Sequence, residues 1–328
     1  MDRLTAQELT QYENDGYVMV PDVFDESDLE PVRRELTEVI HQATTKYCAE
    51  NRLSRTYEEE SFETRLTRIF RECPEIMSAV TGRAGGGHSG PAFYEFIISR
   101  PIISRIESII GPEIIGSSVY RIRPKVPSWD QGVVPWHQDS GYFNPACDDE
   151  LIVTCWIPLV DTNAENGCLR VLPGAHKNGV TRHFRDSHGG YLEIVENDLP
   201  PIEPVVVPVP KGGVLFMTNR TPHMSTEHDV DIVRWAIDVR YQSATLPNNV
   251  GQTPEGFDVS APDEEIACYP PEADFIVQSH ANPDSETAWD EFNAMRQRYE
   301  TRRPDYHRIR WASRNEFVGS HGASMDGD

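Results

Sequence analysis

Apolar residues in the first third of the chain recur at helical spacing, and polar residues mark where the predicted helices begin and end. Thr5 and Glu8 form a capping box that begins the first helix, and Gly16 ends it. Ser27 begins a second helix, with Glu30 completing another capping box. The apolar positions of this second helix fall every three or four residues, at Leu29, Val32, Leu36, Val39 and Ile40.

A third helix is predicted from about Pro101 to Gly111, and beyond it the pattern changes to strands. Between about Ile114 and Tyr241, short apolar runs are separated by Pro, Gly and Asn turns. Many short strands with such turns are typical of a two-sheet jelly roll. The predicted strands are Val119–Arg123, Leu151–Leu159, Cys168–Leu172, Val205–Val209 and Val214–Thr218.

The segment Arg234–Gln242 alternates between apolar and polar residues, which is typical of a half-buried strand. We expect helices to cover its apolar face. The predicted fold class is mainly β with flanking helices: a double-stranded β-helix (jelly-roll, cupin-like) core with helices packed on its outer face. The apolar face carries Trp235, Ile237, Val239 and Tyr241, and the polar face carries Arg234, Ala236, Asp238 and Arg240.

No linker or internal repeat divides the 328 residues, so one domain spanning 1–328 is predicted. After Tyr241 the chain becomes loop-rich and acidic until a helix predicted from Ser285 to about Thr301. The predicted parts are a helical amino-terminal part at about 1–112, a jelly-roll core at about 113–242, a loop-rich and helical carboxy-terminal part at 243–318 and a disordered tail at 319–328.

The charge excludes two classes of partner. Acidic residues number 53 against 30 basic ones, and the net charge of −23 repels nucleic acid and anionic membrane surfaces. No apolar run reaches the length of a membrane span, and the first residues lack the apolar segment of a signal peptide. We therefore expect a cytoplasmic protein that acts on a small molecule.

Two histidines and one aspartate have the spacing of a metal site. His137 and Asp139 flank Gln138, and in a strand residues i and i+2 point to the same face. Gln138 would then point away, and His223 supplies a third ligand from a distant strand. Two imidazoles and one carboxylate are the ligand set of a non-haem Fe(II) site with open positions for O2 and a co-substrate.

An arginine on the polar face of the alternating strand extends this site. Arg234 follows His223 by eleven positions, and a guanidinium binds a carboxylate at two points. A dicarboxylate such as 2-oxoglutarate could chelate iron at one end and pair with Arg234 at the other.

With these motifs the chain resembles the phytanoyl-CoA dioxygenase-like family of Fe(II)/2-oxoglutarate oxygenases. The resemblance runs from the amino terminus through Tyr241 and says little about the substrate. The stretches that carry it, in chain order, are Leu4–Leu9, Asp15–Pro21, Trp136–Asp139, Asn166–Leu169, Pro173–Lys177 and Asn219–His223.

The resemblance implies roles for residues around the metal. It implies that Arg234 binds the C5 carboxylate of 2-oxoglutarate, that the Ser225 hydroxyl assists it, and that Lys125 and Trp156 lie beside the co-substrate. Trp156 has an equally good interpretation as a core residue. Relatives that halogenate have a small residue in place of Asp139, so its presence argues against a halogenase.

Five residues near the motifs are candidates for contacts with the substrate. Arg121 lies on a predicted strand that leads to the site, and the others follow the metal motif or lie in a polar segment beyond it. Each of them also has an interpretation as a solvated or structural residue. The candidates are Arg121, Tyr142, Phe143, Asn144 and Arg182.

The predicted function is hydroxylation of an unactivated C–H bond in a small molecule, with succinate and CO2 as co-products. The predicted cofactors are Fe(II), 2-oxoglutarate as co-substrate and O2. Desaturation, epoxidation and cyclisation remain open, because they differ only in the fate of the substrate radical. Two rivals are a non-catalytic metal-binding jelly-roll protein and a zinc hydrolase, and neither has a use for Arg234.

Overall fold

A computed structural model describes residues 3–81, 90–129, 132–185, 191–256, 273–302 and 310–311. The predicted tail at 319–328 lies outside these residues. Among the helices described, none is long and apolar enough to cross a membrane. The helices are α1 (Ala6–Asp15), α2 (Glu26–Ala49), α3 (Arg65–Glu72), α4 (Ile76–Thr81), α5 (Pro91–Ile97), α6 (Arg100–Ile110) and α7 (Trp289–Arg302).

The strands alternate with turns and short 3-10 helices through the middle of the chain. They are β1 (Tyr17–Val20), β2 (Ile114–Gly116), β3 (Arg121–Lys125), β4 (Ile152–Pro158), β5 (Leu169–Val171), β6 (Phe184–Arg185), β7 (Leu192–Glu193), β8 (Val205–Val207), β9 (Val214–Thr218), β10 (His223–Ser225), β11 (Arg234–Ser243) and β12 (Phe275–Gln278).

The first and third predicted helices are confirmed as α1 and α6, whereas the second begins earlier than predicted. Asp25 is the N-cap of α2, and its carboxylate accepts hydrogen bonds from the backbone N–H groups of Ser27 and Asp28. The Asp28 side chain accepts one in return from the Asp25 N–H at 2.9 Å. A charged carboxylate is a stronger acceptor at a helix amino terminus than a hydroxyl, so the box lies two residues before the predicted Ser27 and Glu30.

The helices α3, α4 and α5 were not predicted. They are only 8, 6 and 7 residues long, and neither α3 nor α5 has a side-chain hydrogen bond at its N-cap. Without capping residues, such short helices depend on tertiary packing, which local sequence patterns do not record.

The strands form antiparallel sheets, as predicted for a mainly β fold with flanking helices. The largest sheet has the order β1-β9-β4-β11-β2-β12, with β3 also paired to β11. A second sheet has the order β10-β5-β8, and β6 pairs with β7. Strand β12 comes from the carboxy-terminal part and extends the large sheet beyond β2, a pairing that the sequence did not predict.

Strand β11 connects the core to the site. Its apolar face packs against the helical part as predicted: Trp235 stacks on Phe62 with ring centroids 5.2 Å apart, and the Tyr241 hydroxyl donates to the Ile97 carbonyl at 2.6 Å. The prediction that this strand is half-buried was wrong, because both of its faces are buried. The buried polar face, with Arg234 at its start, faces the second sheet and forms one wall of a cavity.

Candidate active site

His137 and His223 come together through a backbone bridge. The His137 N–H donates to the His223 carbonyl at 3.0 Å, and the His223 N–H donates back at 2.9 Å. Gln138 is extended (φ −114°, ψ 140°), but Asp139 begins a short 3-10 helix, Asp139–Tyr142. The prediction of a continuous strand is therefore corrected. The extended Gln138 alone directs the side chains before and after it to the same side.

The three predicted metal ligands form a buried cluster. One ligand atom from each of His137, Asp139 and His223 lies within 4.8 Å of the others, a group that could hold a metal ion. The two imidazole centroids are 4.2 Å apart, and His137 Nε2 lies 3.7 Å from Asp139 Oδ1. The donor set is that of a non-haem iron site.

Backbone hydrogen bonds determine the tautomer of both imidazoles. His137 Nδ1 lies 2.9 Å from the Pro135 carbonyl, and His223 Nδ1 lies 3.0 Å from the Thr221 carbonyl. Because a carbonyl oxygen only accepts, each Nδ1 carries the hydrogen and each Nε2 keeps a lone pair for a metal. The pKa of His137 is lowered to about 3, mainly by burial and secondly by the neighbouring His223, so this ring is neutral.

Both oxygens of Asp139 are held by buried side chains. Arg240 Nη2 donates to Oδ1 at 2.7 Å, and the Thr154 hydroxyl donates to Oδ2 at 2.5 Å. Burial by itself would raise the pKa of the Asp139 carboxyl. Chiefly the Arg240 guanidinium outweighs that effect and holds the pKa far below its usual range, so Asp139 is ionised.

Arg240 is the third member of a chain of four alternating charges. It donates from Nη1 to Asp238 Oδ1 at 2.8 Å, and Arg123 Nε donates to Asp238 Oδ2, also at 2.8 Å. Burial would raise the pKa of Asp238, but the two guanidinium groups lower it below its usual value. The chain Arg123–Asp238–Arg240–Asp139 thus leads from the cavity wall to the carboxylate of the metal cluster.

Gln138 points away from the cluster, as predicted, and anchors it from behind. Its Nε2 donates to the carbonyls of Gly179 and Arg220 at 2.9 and 2.7 Å, and its backbone N–H donates to His183 Nε2 at 2.9 Å. Because His183 Nε2 accepts this bond, its lone pair is already used. The side chain of Gln138 is fully buried, so these bonds replace water that it would otherwise bind.

Two residues near the carboxy terminus hold the 3-10 helix that carries Asp139. Arg310 Nη1 donates to the carbonyls of Ser140 and Phe143 at 2.9 and 2.8 Å, and the Trp311 indole donates to the Gly141 carbonyl at 2.9 Å. We call Arg310 and Trp311 the carboxy-terminal clasp. Residues that are distant in sequence, and that no motif marks, therefore support a predicted metal ligand.

The cluster opens into a cavity of about 740 Å³, a size typical of small-molecule sites. All four residues predicted to contact the co-substrate line it: Lys125, Trp156, Ser225 and Arg234. Arg234 is 3% exposed, its Cζ lies 5.4 Å from the Trp156 ring, and its Nε and Nη1 have no hydrogen-bond partner within the described residues. Two buried, unpartnered guanidinium nitrogens fit a carboxylate.

Lys125 lies beside Arg234, opposite it in the pairing of β3 with β11. Its ammonium donates to the Ser225 hydroxyl at 3.1 Å and to the Thr226 carbonyl. Ser225 Oγ also accepts from the Val134 N–H at 2.9 Å, which leaves its own hydrogen free to be donated. The pKa of Lys125 is lowered to about 7, mainly by burial and secondly by the charge of Arg234.

Of the five residues predicted to contact the substrate, two line the cavity, Arg121 and Tyr142. Phe143 is instead packed in an apolar cluster with Cys147 and Ile152. The other two also have structural roles outside the cavity lining. Asn144 caps a 3-10 helix by accepting from the Ala146 N–H at 2.9 Å, and Arg182 pairs with Asp198 at 2.9 Å.

Among the cavity residues that were not predicted, four belong to the hydrogen-bond network around Asp139: Arg123, Thr154, Asp238 and Arg240. The alternation that identified Arg234 places Asp238 and Arg240 on the same face of β11, so it contained the signal for both. Arg123 and Thr154 could be assigned to the site only once the strand pairing was known, because that pairing places β3 and β4 on either side of β11.

Fold and site together define a class of enzyme. A buried set of two imidazoles and one carboxylate, open to a cavity that also holds an unpartnered arginine, is typical of non-haem iron oxygenases that use a carboxylate co-substrate. The chain belongs to the phytanoyl-CoA dioxygenase family, whose sequence profile, Phytanoyl-CoA dioxygenase (PhyH), matches residues 12–234. It is therefore a 2-oxoglutarate-dependent non-haem iron dioxygenase, with Fe(II) as its metal.

Related proteins agree with this membership. The chain is 23% identical over 264 residues to phytanoyl-CoA dioxygenase domain-containing protein 1 of Danio rerio, covering 71% of this chain and 88% of that protein. It is 22% identical over 251 residues to the peroxisomal phytanoyl-CoA dioxygenase of Homo sapiens, covering 74% and 69%. The solved structure of apo ThoJ, a non-heme monooxygenase, is similar in fold, with a TM-score of 0.54, 16% identity and coverage of 89% and 96%.

Proposed function

We propose that this protein hydroxylates an unactivated C–H bond of a small molecule and converts 2-oxoglutarate to succinate and CO2. One observation carries the proposal: the His137, Asp139 and His223 cluster shares a buried cavity with the unpartnered nitrogens of Arg234. Neither feature needs the other structurally, but a chelating dicarboxylate co-substrate needs both.

In this proposal His137 Nε2, His223 Nε2 and a carboxylate oxygen of Asp139 hold Fe(II). When bound there, iron with 2-oxoglutarate and O2 supplies the oxidising power for C–H cleavage. The carbonyls of Pro135 and Thr221 hold the hydrogen of each imidazole on Nδ1, so that each Nε2 can face the metal. The positive charge of Arg240 also balances the negative charge of the Asp139 carboxylate.

The far carboxylate of 2-oxoglutarate is assigned to Arg234, with Lys125 and Ser225 beside it. Arg234 provides the two-point contact, and Ser225 has a hydroxyl hydrogen to donate. Lys125 adds an ammonium whose position is fixed by the Ser225 hydroxyl and the Thr226 carbonyl. Trp156 lies against the guanidinium and excludes water from that end of the cavity.

We also propose that the core is a double-stranded β-helix, or jelly roll. The support is the arrangement of a large antiparallel sheet and the β10-β5-β8 sheet around an apolar cluster that both contribute to. Trp156, Leu215 and Met217 come from the large sheet, and Leu169 and Val171 from the smaller one. The mouth between two such sheets is where ligands from non-adjacent strands can meet.

Desaturation, epoxidation and cyclisation would use the same residues and remain alternative outcomes. A non-catalytic metal-binding protein or a zinc hydrolase would leave the buried Arg234 without a role. An unpartnered buried guanidinium is costly, so this arrangement favours the oxygenase.

The proposal is tested by succinate formation from 2-oxoglutarate by the Fe(II)-loaded protein. We expect slow formation that requires Fe(II), 2-oxoglutarate and O2 together and that a true substrate accelerates. Asp139→Ala should lower both iron affinity and succinate formation, whereas Asp149→Ala, which changes an exposed aspartate, should leave both intact. Wild-type iron affinity and succinate formation in Asp139→Ala would contradict the ligand assignment.

A further inference from the structure

We infer that the substrate carries an anionic group, a carboxylate or a phosphate, and that Arg123 binds it. This inference rests on the proposed function, since it concerns the same cavity once Fe(II) and 2-oxoglutarate are bound. It goes further by naming the substrate class and the residue that selects it.

The first support is the charge of the cavity wall. The protein has a net charge of −23, yet five basic side chains and only two acidic ones line the described part of the cavity. A positively charged cavity in an acidic protein concentrates anions and repels cations. The basic residues are Arg121, Arg123, Lys125, Arg234 and Arg240, and the acidic ones are Glu75 and Asp238.

Three of these basic residues already have an assignment. Arg234 and Lys125 face the co-substrate, and Arg240 is bonded to Asp139 and Asp238. Arg121 donates from Nη1 to the Tyr120 carbonyl at 2.6 Å, so the inference does not depend on it.

Arg123 differs from the others in how its donors are used. Its Nε donates to Asp238 at 2.8 Å, and its Cζ lies 5.8 Å from the Tyr191 ring. Within the described residues, neither of its two Nη groups has a hydrogen-bond partner. Its side chain is 27% exposed, in a residue that lines the cavity. Arg123 therefore offers a pair of N–H donors to a ligand there.

Asp238 makes Arg123 a prepared binding group. Asp238 accepts from Nε and thereby fixes the plane of the Arg123 guanidinium. The two Nη groups at the other edge stay available to a second anion. Asp238 also accepts from Arg240, so one carboxylate is shared between two guanidinium groups and does not neutralise Arg123 fully. Because Asp238 already restrains the Arg123 guanidinium, less side-chain entropy is lost when an anion binds.

Arg123 does not contact the predicted metal ligands. Asp238 and Arg240 lie between its guanidinium and Asp139 in the chain of ion pairs. An anion at Arg123 would therefore anchor one end of the substrate, and the oxidised carbon would belong to its other end.

The remaining cavity wall indicates what lies between the two ends. Met77, Val119, Ile122 and Trp129 line the cavity with apolar surface. The substrate class is therefore an amphipathic acid: an apolar body with a carboxylate or phosphate at one end.

Calorimetric titration of the anaerobic protein, saturated with Fe(II) and 2-oxoglutarate, tests the inference. The probes are 3-phenylpropanoate, phenyl phosphate and the neutral 3-phenylpropanamide, at constant ionic strength. We expect saturable binding of at least one anion, at least tenfold tighter than binding of the amide. The anion that binds more tightly distinguishes a carboxylate from a phosphate substrate.

Variants assign the binding to Arg123. Arg123→Gln should weaken anion binding at least tenfold, and Arg123→Lys should weaken it less, because lysine keeps the charge but lacks the fork. Arg34→Gln, which changes an exposed arginine on α2, is the matched control and should bind as the wild type does. Thermal melts establish that each variant is folded, and Arg123→Lys decides the question if Arg123→Gln is not.

Three results would overturn the inference: no saturable binding of either anion, equal binding of the amide, or anion binding that the folded Arg123 variants leave unchanged. The 2-oxoglutarate charge-transfer band, recorded first on the same wild-type sample, separates this failure from failure of the proposed function. A sample that shows the band but binds no anion contradicts only the inference about Arg123.

Discussion

Arg240 donates to the carboxylate of Asp139 at 2.7 Å, and both side chains are almost completely buried. A residue outside the metal cluster thus fixes the orientation of a predicted ligand and compensates its charge. The same guanidinium donates to Asp238 and to the Val119 carbonyl, both at 2.8 Å, so its own position is strongly constrained. Outer partners of this kind orient metal ligands and tune the metal.

Replacing Arg240 by Leu should destabilise the fold and weaken iron binding. The change leaves Asp139 and Asp238 as buried carboxylates with one partner fewer, and breaking a buried ion pair costs about 3–5 kcal/mol. Urea denaturation measures the loss, and Fe(II) titration of the folded fraction measures the metal affinity. Stability and iron affinity equal to those of the exposed-site control Arg55→Leu would contradict this role.

Arg234→Met should raise the 2-oxoglutarate requirement while leaving iron binding intact. The variant loses charge-assisted hydrogen bonds, each worth about 1.5–3 kcal/mol, so the Kd for 2-oxoglutarate should rise at least tenfold. Separate titrations with Fe(II) and with 2-oxoglutarate distinguish the two effects. Arg170→Met, which changes an exposed strand arginine, serves as control. An unchanged Kd for 2-oxoglutarate would remove Arg234 from the co-substrate site.

The affinity for 2-oxoglutarate should fall as the pH rises through about 7. Burial and then the Arg234 charge lower the pKa of Lys125, while Cys168 and Glu227 act in the opposite direction. The ammonium is charged below that pH and neutral above it, and a dianion binds the charged form better. Kd measured from pH 6 to 9 tests this dependence. Lys125→Met should flatten the profile, and a wild-type profile that is already flat would contradict it.

Loss of the carboxy-terminal clasp should weaken iron binding without removing a ligand. Arg310→Ala and Trp311→Ala each release carbonyl groups of the 3-10 helix that begins at Asp139. Outer-shell changes typically reduce metal affinity 10- to 100-fold, and we expect the lower part of that range. Fe(II) titration measures it, with the exposed Arg302→Ala as control. Wild-type affinity in both clasp variants would show that the contact is only structural.

The sequence predicted the parts of the site that local rules describe. The spacing of His137 and Asp139 and the alternation around Arg234 are short-range patterns. The structure places His137 and Arg234 on one cavity, with Asp139 in the cluster beside His137. Phe143 and Asn144 were candidates because they follow the metal motif in the sequence. The 3-10 helix turns the backbone, and their side chains leave the cavity.

The site residues that the sequence did not predict are mainly buried charged residues. Asp238 and Arg240 lie on the polar face of a strand, and a polar face normally indicates contact with solvent. Here the second sheet covers that face, so its charges pair with one another. The clasp could not be predicted from the sequence either, because only the fold brings Arg310 next to Ser140.

Anaerobic binding of 2-oxoglutarate gives the sharpest test of the iron and co-substrate sites. The protein is loaded with Fe(II) without oxygen and titrated with 2-oxoglutarate, and the visible absorption band of an iron-chelated 2-oxoacid is recorded. We expect a saturable band that disappears in His223→Ala and requires more 2-oxoglutarate in Arg234→Met. If protein shown to contain iron gives no band, 2-oxoglutarate does not chelate that iron, and a metal-binding protein or a hydrolase is favoured instead.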